Sequence, residues 1–74
     1  MEDDIVAQRV GKALRRRRKA LGMSQESYAA LVNVHRNYYG EVERGERNLT
    51  LKSIAKICAG MKAKVWEVFS DAEV

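Results

Sequence analysis

The stretch QESYAALVNVHRNYYGEVER, Gln25 to Arg44, constrains the fold more than any other part of the chain. Its apolar residues recur at helical spacing in two short blocks: Tyr28, Ala29 and Val32 share one face, and Tyr39 and Val42 share another further on. Asn33 lies between them and tolerates a positive φ better than most residues, so the pattern predicts two short helices joined by a tight turn. Ser24 can cap the first of these, and Glu26 suits its positive end, although Ser27 stands where a full capping box would carry Glu or Gln. Ala29 is small enough to let a second helix cross closely, and Gly45 closes the second helix.

The remainder of the chain is read as helical too. There is no proline and only five glycines in 74 residues, and 46% of the residues are apolar. That is one domain, residues 1–74, near the lower size limit for a self-supporting core, to which dimerisation would add. A first helix is expected from Ile5 to Leu21, stopping at Gly22, with Val6, Val10, Ala13, Leu14 and Leu21 on an arc of about a quarter turn. Met23 then packs on the core. Thr50 is expected to cap a fourth helix that turns Leu51, Ile54, Ile57, Cys58 and Met61 inward. Lys62 and Lys64 are poor punctuation for its end and for the next start. In the short fifth helix Val68 and Phe69 are expected to complete the core, leaving Val65 and Trp66 uncovered in a monomer. Contact with a second copy and simple core packing both remain open for Trp66. The acidic ends, 1–4 and 70–74, are expected to be flexible.

Charge is unevenly placed. The formal net charge is +4, yet Ile5 to Trp66 holds all fourteen Lys and Arg residues and only four acids (Glu26, Glu41, Glu43, Glu46), a local excess of ten positive charges. A basic body with acidic ends points to a polyanion, most often nucleic acid, with a solvated basic surface as the plainer reading. Arg15 to Lys19 is a five-residue basic run that wraps round the first helix, so it cannot form one DNA-facing stripe. Arg17 falls in the middle of the apolar arc, where it must either snorkel or find an acidic partner that the sequence does not identify.

Gln25, Ala29, Asn33, Tyr39 and Val42 together resemble the helix-turn-helix of the phage-repressor (Xre/Cro) family of DNA-binding regulators. Val10, Leu14, Arg18 and Gly22 look like that family's first helix, and ERGERNLTL, Glu43 to Leu51, looks like the loop that follows. The likeness covers roughly residues 8 to 69. HRNYY with ERGERNLT looks most like the controller proteins of restriction–modification systems, whose pattern stand-alone phage repressors and antitoxins largely share. The resemblance implies an all-α, five-helix repressor-like domain and an ion pair between Arg18 and Glu43 that ties the first helix to the third. It also implies a two-fold dimer through the fifth helix, at Val65, Trp66 and Phe69.

If Tyr39 and Val42 face inward, then Arg36, Asn37, Gly40 and Glu41 face outward from the third helix, expected from His35 to Arg44. Arg36 can fork onto guanine O6 and N7, and Asn37 can pair with adenine N6 and N7. Gly40 would let the helix approach base edges, and Glu41 can accept from cytosine or repel wrong registers. Gln25, Tyr38, Arg44, Arg47, Asn48 and Lys52 are candidate contacts to the phosphate backbone. His35 is either an exposed cap residue or a further DNA contact. Lys52 is equally a solvated lysine.

The expected function is a sequence-specific transcription regulator that binds a near-palindromic operator in double-stranded DNA as a homodimer. No Ser–His–acid set, paired catalytic carboxylates, metal-ligand spacing or glycine-rich phosphate loop is present, so neither enzyme activity nor a cofactor or metal is expected. No small-molecule ligand is expected. The single Cys58 and the lack of a signal peptide or membrane span fit the cytoplasm. The rival reading is an antitoxin that acts mainly by protein–protein contact through the fifth helix.

Overall fold

The computed structural model describes residues 2–74, with side chains from Ile5 onward. Five helices follow in order: α1 Glu2–Ala20, α2 Gln25–Leu31, α3 Arg36–Glu43, α4 Leu51–Gly60 and α5 Val65–Ala72. Their starts follow local chemistry. The Ser24 hydroxyl accepts from Ser27 N at 3.0 Å, and the Thr50 hydroxyl accepts from Ser53 N at 3.1 Å. Lys64 offers no side-chain cap, and α5 begins instead with Glu67 accepting from the Lys64 N–H at 2.8 Å. That is half of a capping box, supplied from the third position of the helix.

Every helix ends the same way. Gly22, Asn33, Gly45, Lys62 and Glu73 all hold positive φ, from 54° to 76°. In each case the next N–H reaches back over the turn, as Val34 N does to Ala29 O at 3.0 Å and Ala63 N to Cys58 O at 3.1 Å. Asn33 therefore makes the turn expected of it. Lys62 and Glu73 accept a left-handed backbone that costs a non-glycine residue roughly 1–2 kcal/mol.

The core is a single cluster in which Val10, Ala13 and Leu14 of α1 meet Tyr28, Ala29, Val32, Tyr39, Val42, Ile54, Ile57, Cys58, Val68 and Ala72. The Tyr28 and Tyr39 rings pack tilted, centroids 5.3 Å apart. The Tyr28 hydroxyl donates to the Ile57 carbonyl, which satisfies its one buried polar group. Burial pushes the Cys58 thiol pKa upward, as befits a small buried hydrophobe.

Several expectations are corrected. Val6 and Leu21 are about half exposed, because the core consumes only the middle of the apolar arc. Leu51 is 85% exposed, since the first residue of α4 projects beyond the neighbouring helices. Val65 packs against the core while Phe69 lies at its edge, the reverse of the expected order. Helix reaches into both acidic ends: α1 begins at Glu2, and Met1 lies outside the described residues. At the other end α5 runs on to Ala72, which is buried, while Asp71 pairs with Arg17 at 2.6 Å. Arg17 thus has the acidic partner, and its half-buried stem accounts for its place on the arc.

Gly11 sets how closely α1 can approach α3. A Cβ there would lie 2.6 Å from the Val42 carbonyl oxygen and 2.8 Å from the Glu43 carbonyl carbon, both backbone atoms that cannot swing aside. Gly11→Ala, which in an exposed helix would stabilise, is therefore expected to destabilise by about 1–3 kcal/mol. A fall of about 5 °C or more in melting temperature is the expected reading; a rise would mean that α1 and α3 are not in backbone contact.

Candidate nucleic-acid interface

The buried link between α1 and α3 decides where the third helix points. Arg18 Nε donates to Glu43 Oε2 at 2.7 Å and Arg18 Nη2 donates to Glu43 Oε1 at 3.0 Å, a two-pronged pair with both residues only 6% exposed. Arg18 Nη1 also donates to the Met23 carbonyl at 2.7 Å, and Gln25 Nε2 donates to Glu43 Oε1 at 2.8 Å. One carboxylate thus ties together α1, the start of α2 and the end of α3. Burial alone would raise the Glu43 pKa, but the hydrogen bonds from Arg18 and Gln25, with the positive charge of Arg18, outweigh it and hold it below the ordinary 4.5. The Tyr39 hydroxyl is buried beside this carboxylate without closing a well-formed hydrogen bond, and burial drives its pKa strongly upward.

Above this tie a cleft of about 330 Å³ opens between the start of α2 and the outward face of α3, lined by Gln25, Glu26, Arg36, Asn37, Gly40, Glu41 and Arg44. Gly40 lies at its floor, where a Cβ would stand 3.1 Å from Arg44 Nη1 and 3.4 Å from Gln25 Oε1. Arg36 and Asn37 are exposed at the first turn of α3. His35 caps that turn, its Nδ1 accepting from Asn37 N at 3.1 Å, in agreement with the cap reading.

Three arginines at this surface hold exchangeable partners. Arg36 contacts Glu26 at 3.3 Å, Arg44 contacts Glu46 at 3.1 Å and Arg47 contacts Glu41 at 2.9 Å. Such solvent-exposed pairs are worth at most about 1 kcal/mol, so a phosphate or a guanine edge can replace the carboxylate at small cost. Glu26 and Glu46 are the surface residues that sequence reasoning missed, because pairing across ten residues or within a loop leaves no periodic signal. Glu41 is half-buried and engaged with Arg47. Gln25 has a structural part as well: its amide donates to Glu43 from the edge of the cleft.

The expected backbone contacts are spread out. Tyr38 is half-buried, with the Arg47 guanidinium 5.5 Å above its ring. Arg47 and Asn48 line a second, more apolar groove of about 190 Å³ with Val6, Ala7, Val10, Leu49 and Phe69. Lys52 is exposed in the first turn of α4, outside the cleft. Trp66 is 67% exposed on α5. Among the described residues no cluster of His, Cys, Asp and Glu could hold a metal ion, and no helix is long and apolar enough to cross a membrane.

The α2–turn–α3 unit braced by α1 and carrying an arginine-rich outward face defines a helix-turn-helix module, and residues 14–63 match the helix-turn-helix family model. The chain belongs to this family of DNA-binding regulators. Its relatives are narrower in kind. It is 42% identical over 66 residues to the control protein C.MunI of Mycoplasma sp, covering 88% of this chain and 89% of that one. Its fold matches the restriction–modification controller protein C.AhdI from Aeromonas hydrophila with a TM-score of 0.81 at 39% identity, over 84% of this chain and 94% of that chain. It also matches the controller protein C.Esp1396I, solved as a tetramer with its natural 35-base-pair operator, with a TM-score of 0.80 at 29% identity, over 93% of this chain and 96% of that chain.

Removing Glu43 strands the Arg18 charge, so Glu43→Ala is expected to cost roughly 3–5 kcal/mol. The pH dependence follows from the depressed pKa. The unfolded chain takes up this proton first, so the pair's contribution is complete above 4.5 and lost as pH falls through the lower folded value. Thermal melts from pH 7 to pH 3 should show a steeper acid loss for the wild type than for Glu43→Gln; parallel curves would remove Glu43 from the acid transition.

Proposed function

We propose that this chain is a sequence-specific transcription regulator that binds a near-palindromic operator as a homodimer and controls a restriction–modification system. The observation that carries the reading is the outward face of α3, where Arg36 and Asn37 stand exposed on a helix anchored through buried Glu43. In a two-fold dimer, two copies of α3 would enter successive major grooves about 10 bp apart. Arg36 and Asn37 would read base edges above the Gly40 floor, while Arg44, Arg47, Asn48 and Lys52 would hold phosphates. The likeness to C.MunI and C.AhdI supports the controller role, and the operator complex of C.Esp1396I supports duplex DNA as the partner. Occupancy would then follow protein concentration through dimerisation, as suits an autoregulatory switch.

Exposed Trp66, with Phe69 at the margin of the core, supplies the face for a second copy. The same face is what the antitoxin reading would use for a different protein.

Two experiments test the proposal. On a duplex selected from a randomised pool and on random DNA, Arg36→Ala should erase the preference, whereas Arg47→Ala should weaken both alike and lower the salt slope by about one. Arg47 is the better control, because Gln25→Ala would also disturb Glu43. Equal losses for the two variants would count against Arg36 as a base reader. In sedimentation equilibrium, Trp66→Ala should weaken self-association by about 30-fold or more without unfolding the chain. A wild-type chain that stays monomeric at every concentration would sink the homodimer.

A further inference from the structure

Between Ile5 and Trp66 the chain carries only four acids, and the fold sets each of them on an arginine. Glu43 is buried on Arg18, half-buried Glu41 holds Arg47, and Glu46 holds Arg44 two residues earlier. Glu26 differs from these. It reaches across from α2 to Arg36 of α3 by one contact of 3.3 Å, and its side chain is 72% exposed. Its place in the first turn of α2 favours that helix end, which accounts for an acid but not for its contact with Arg36. Glu26, Arg36 and Asn37 line one cleft, so this carboxylate weakens the hold of the face on any phosphate that comes near. An acid placed there fits a ligand that also offers a hydrogen-bond donor.

A carboxylate can only accept. On the major-groove edge guanine and thymine present acceptors, and adenine sets its N7 acceptor beside its amino group. Cytosine alone presents an amino donor with no acceptor next to it. Among the described residues Arg36 uses only Nη1 on Glu26, which leaves Nε and Nη2 for a fork onto guanine. The pair can therefore stay closed while Arg36 reads. Its length of 3.3 Å matches the stacking interval of a duplex, about 3.4 Å, so a carboxylate beside the forked guanidinium stands level with the edge of the next base pair.

We propose that Glu26 is a specificity-determining residue, whose carboxylate accepts from the N4 amino group of a cytosine in the base pair next to the guanine read by Arg36. This rests on the base-reading role of Arg36 above and extends direct readout from α3 to the first turn of α2. Arg36 and Glu26 then read two successive pairs as one unit, donor beside acceptor.

The test selects duplexes from a randomised pool with the full-length wild type, Glu26→Ala and Glu26→Gln, and then titrates each protein on the selected duplex and its single-pair variants. Replacing the cytosine should weaken the wild type about tenfold and Glu26→Ala less than about twofold, while the cost of replacing the neighbouring guanine stays the same in both. Glu26→Gln keeps an acceptor oxygen without the charge, so it should retain part of the cytosine preference, which guards against a folding defect in Glu26→Ala. Identical preferences in the wild type and Glu26→Ala overturn the proposal. So does a rise in affinity of Glu26→Ala for every duplex alike, which makes the acid a mere repellent of phosphates. A loss of guanine preference instead also overturns it, by making Glu26 a positioning residue for Arg36. If the wild type selects no sequence at all, the DNA reading above fails; if it selects one and Glu26→Ala selects the same, only the role of Glu26 fails.

Discussion

The two-pronged pair between Arg18 and Glu43 is the constraint on which the interface depends. A buried ion pair is weak as a source of net stability, since desolvation of both charges offsets most of their attraction. Its value here is geometric. Glu43 accepts from Arg18 through both oxygens and from Gln25 through one, so its position is fixed by α1 and α2 at once. Because Glu43 is the last residue of α3, fixing it sets the tilt of the helix that carries Arg36 and Asn37. Gly11 complements this tie by allowing backbone contact between α1 and α3 at the same end. A hydrophobic contact in place of the pair would hold the helices together without specifying their angle as sharply.

The same residue types do opposite work at the surface. Arginine and glutamate, locked when buried at position 18 and 43, form loose pairs at Arg36–Glu26, Arg44–Glu46 and Arg47–Glu41. Dielectric environment makes the difference: a desolvated pair is costly to break, whereas a solvated one exchanges partners for little. The domain can therefore hold a rigid frame and still offer free guanidinium groups to a polyanion. Within α1 the division is sharper, for adjacent members of one basic run serve the core tie, the clasp on α5 and the solvent face.

Much of the architecture was legible in the chain. The two helices around Asn33, the caps at Ser24 and Thr50, and the stops at Gly22 and Gly45 all follow from residues whose local chemistry suffices. The burial of Val10, Leu14, Tyr28, Tyr39 and Val42 follows from periodicity. What escaped was set by distant neighbours. Arg17 and Asp71 lie 54 residues apart, and nothing in either stretch marks the other as its partner. Gly11 is an ordinary helix glycine until α3 is laid against it. Leu51 and Leu21 carry the right spacing for a core that does not extend far enough to cover them.

The sequence by itself determined the helices, the caps at Ser24 and Thr50, the central apolar positions and the excess of positive charge, because these depend on contacts within a few residues or on composition. Only the tertiary structure decided which cations of the basic run are consumed, that Gly40 lies beneath the Arg44 and Gln25 side chains, and that Gln25 serves Glu43. Those outcomes depend on helix crossing, which brings side chains from separate turns within hydrogen-bond reach, and no local pattern encodes that distance.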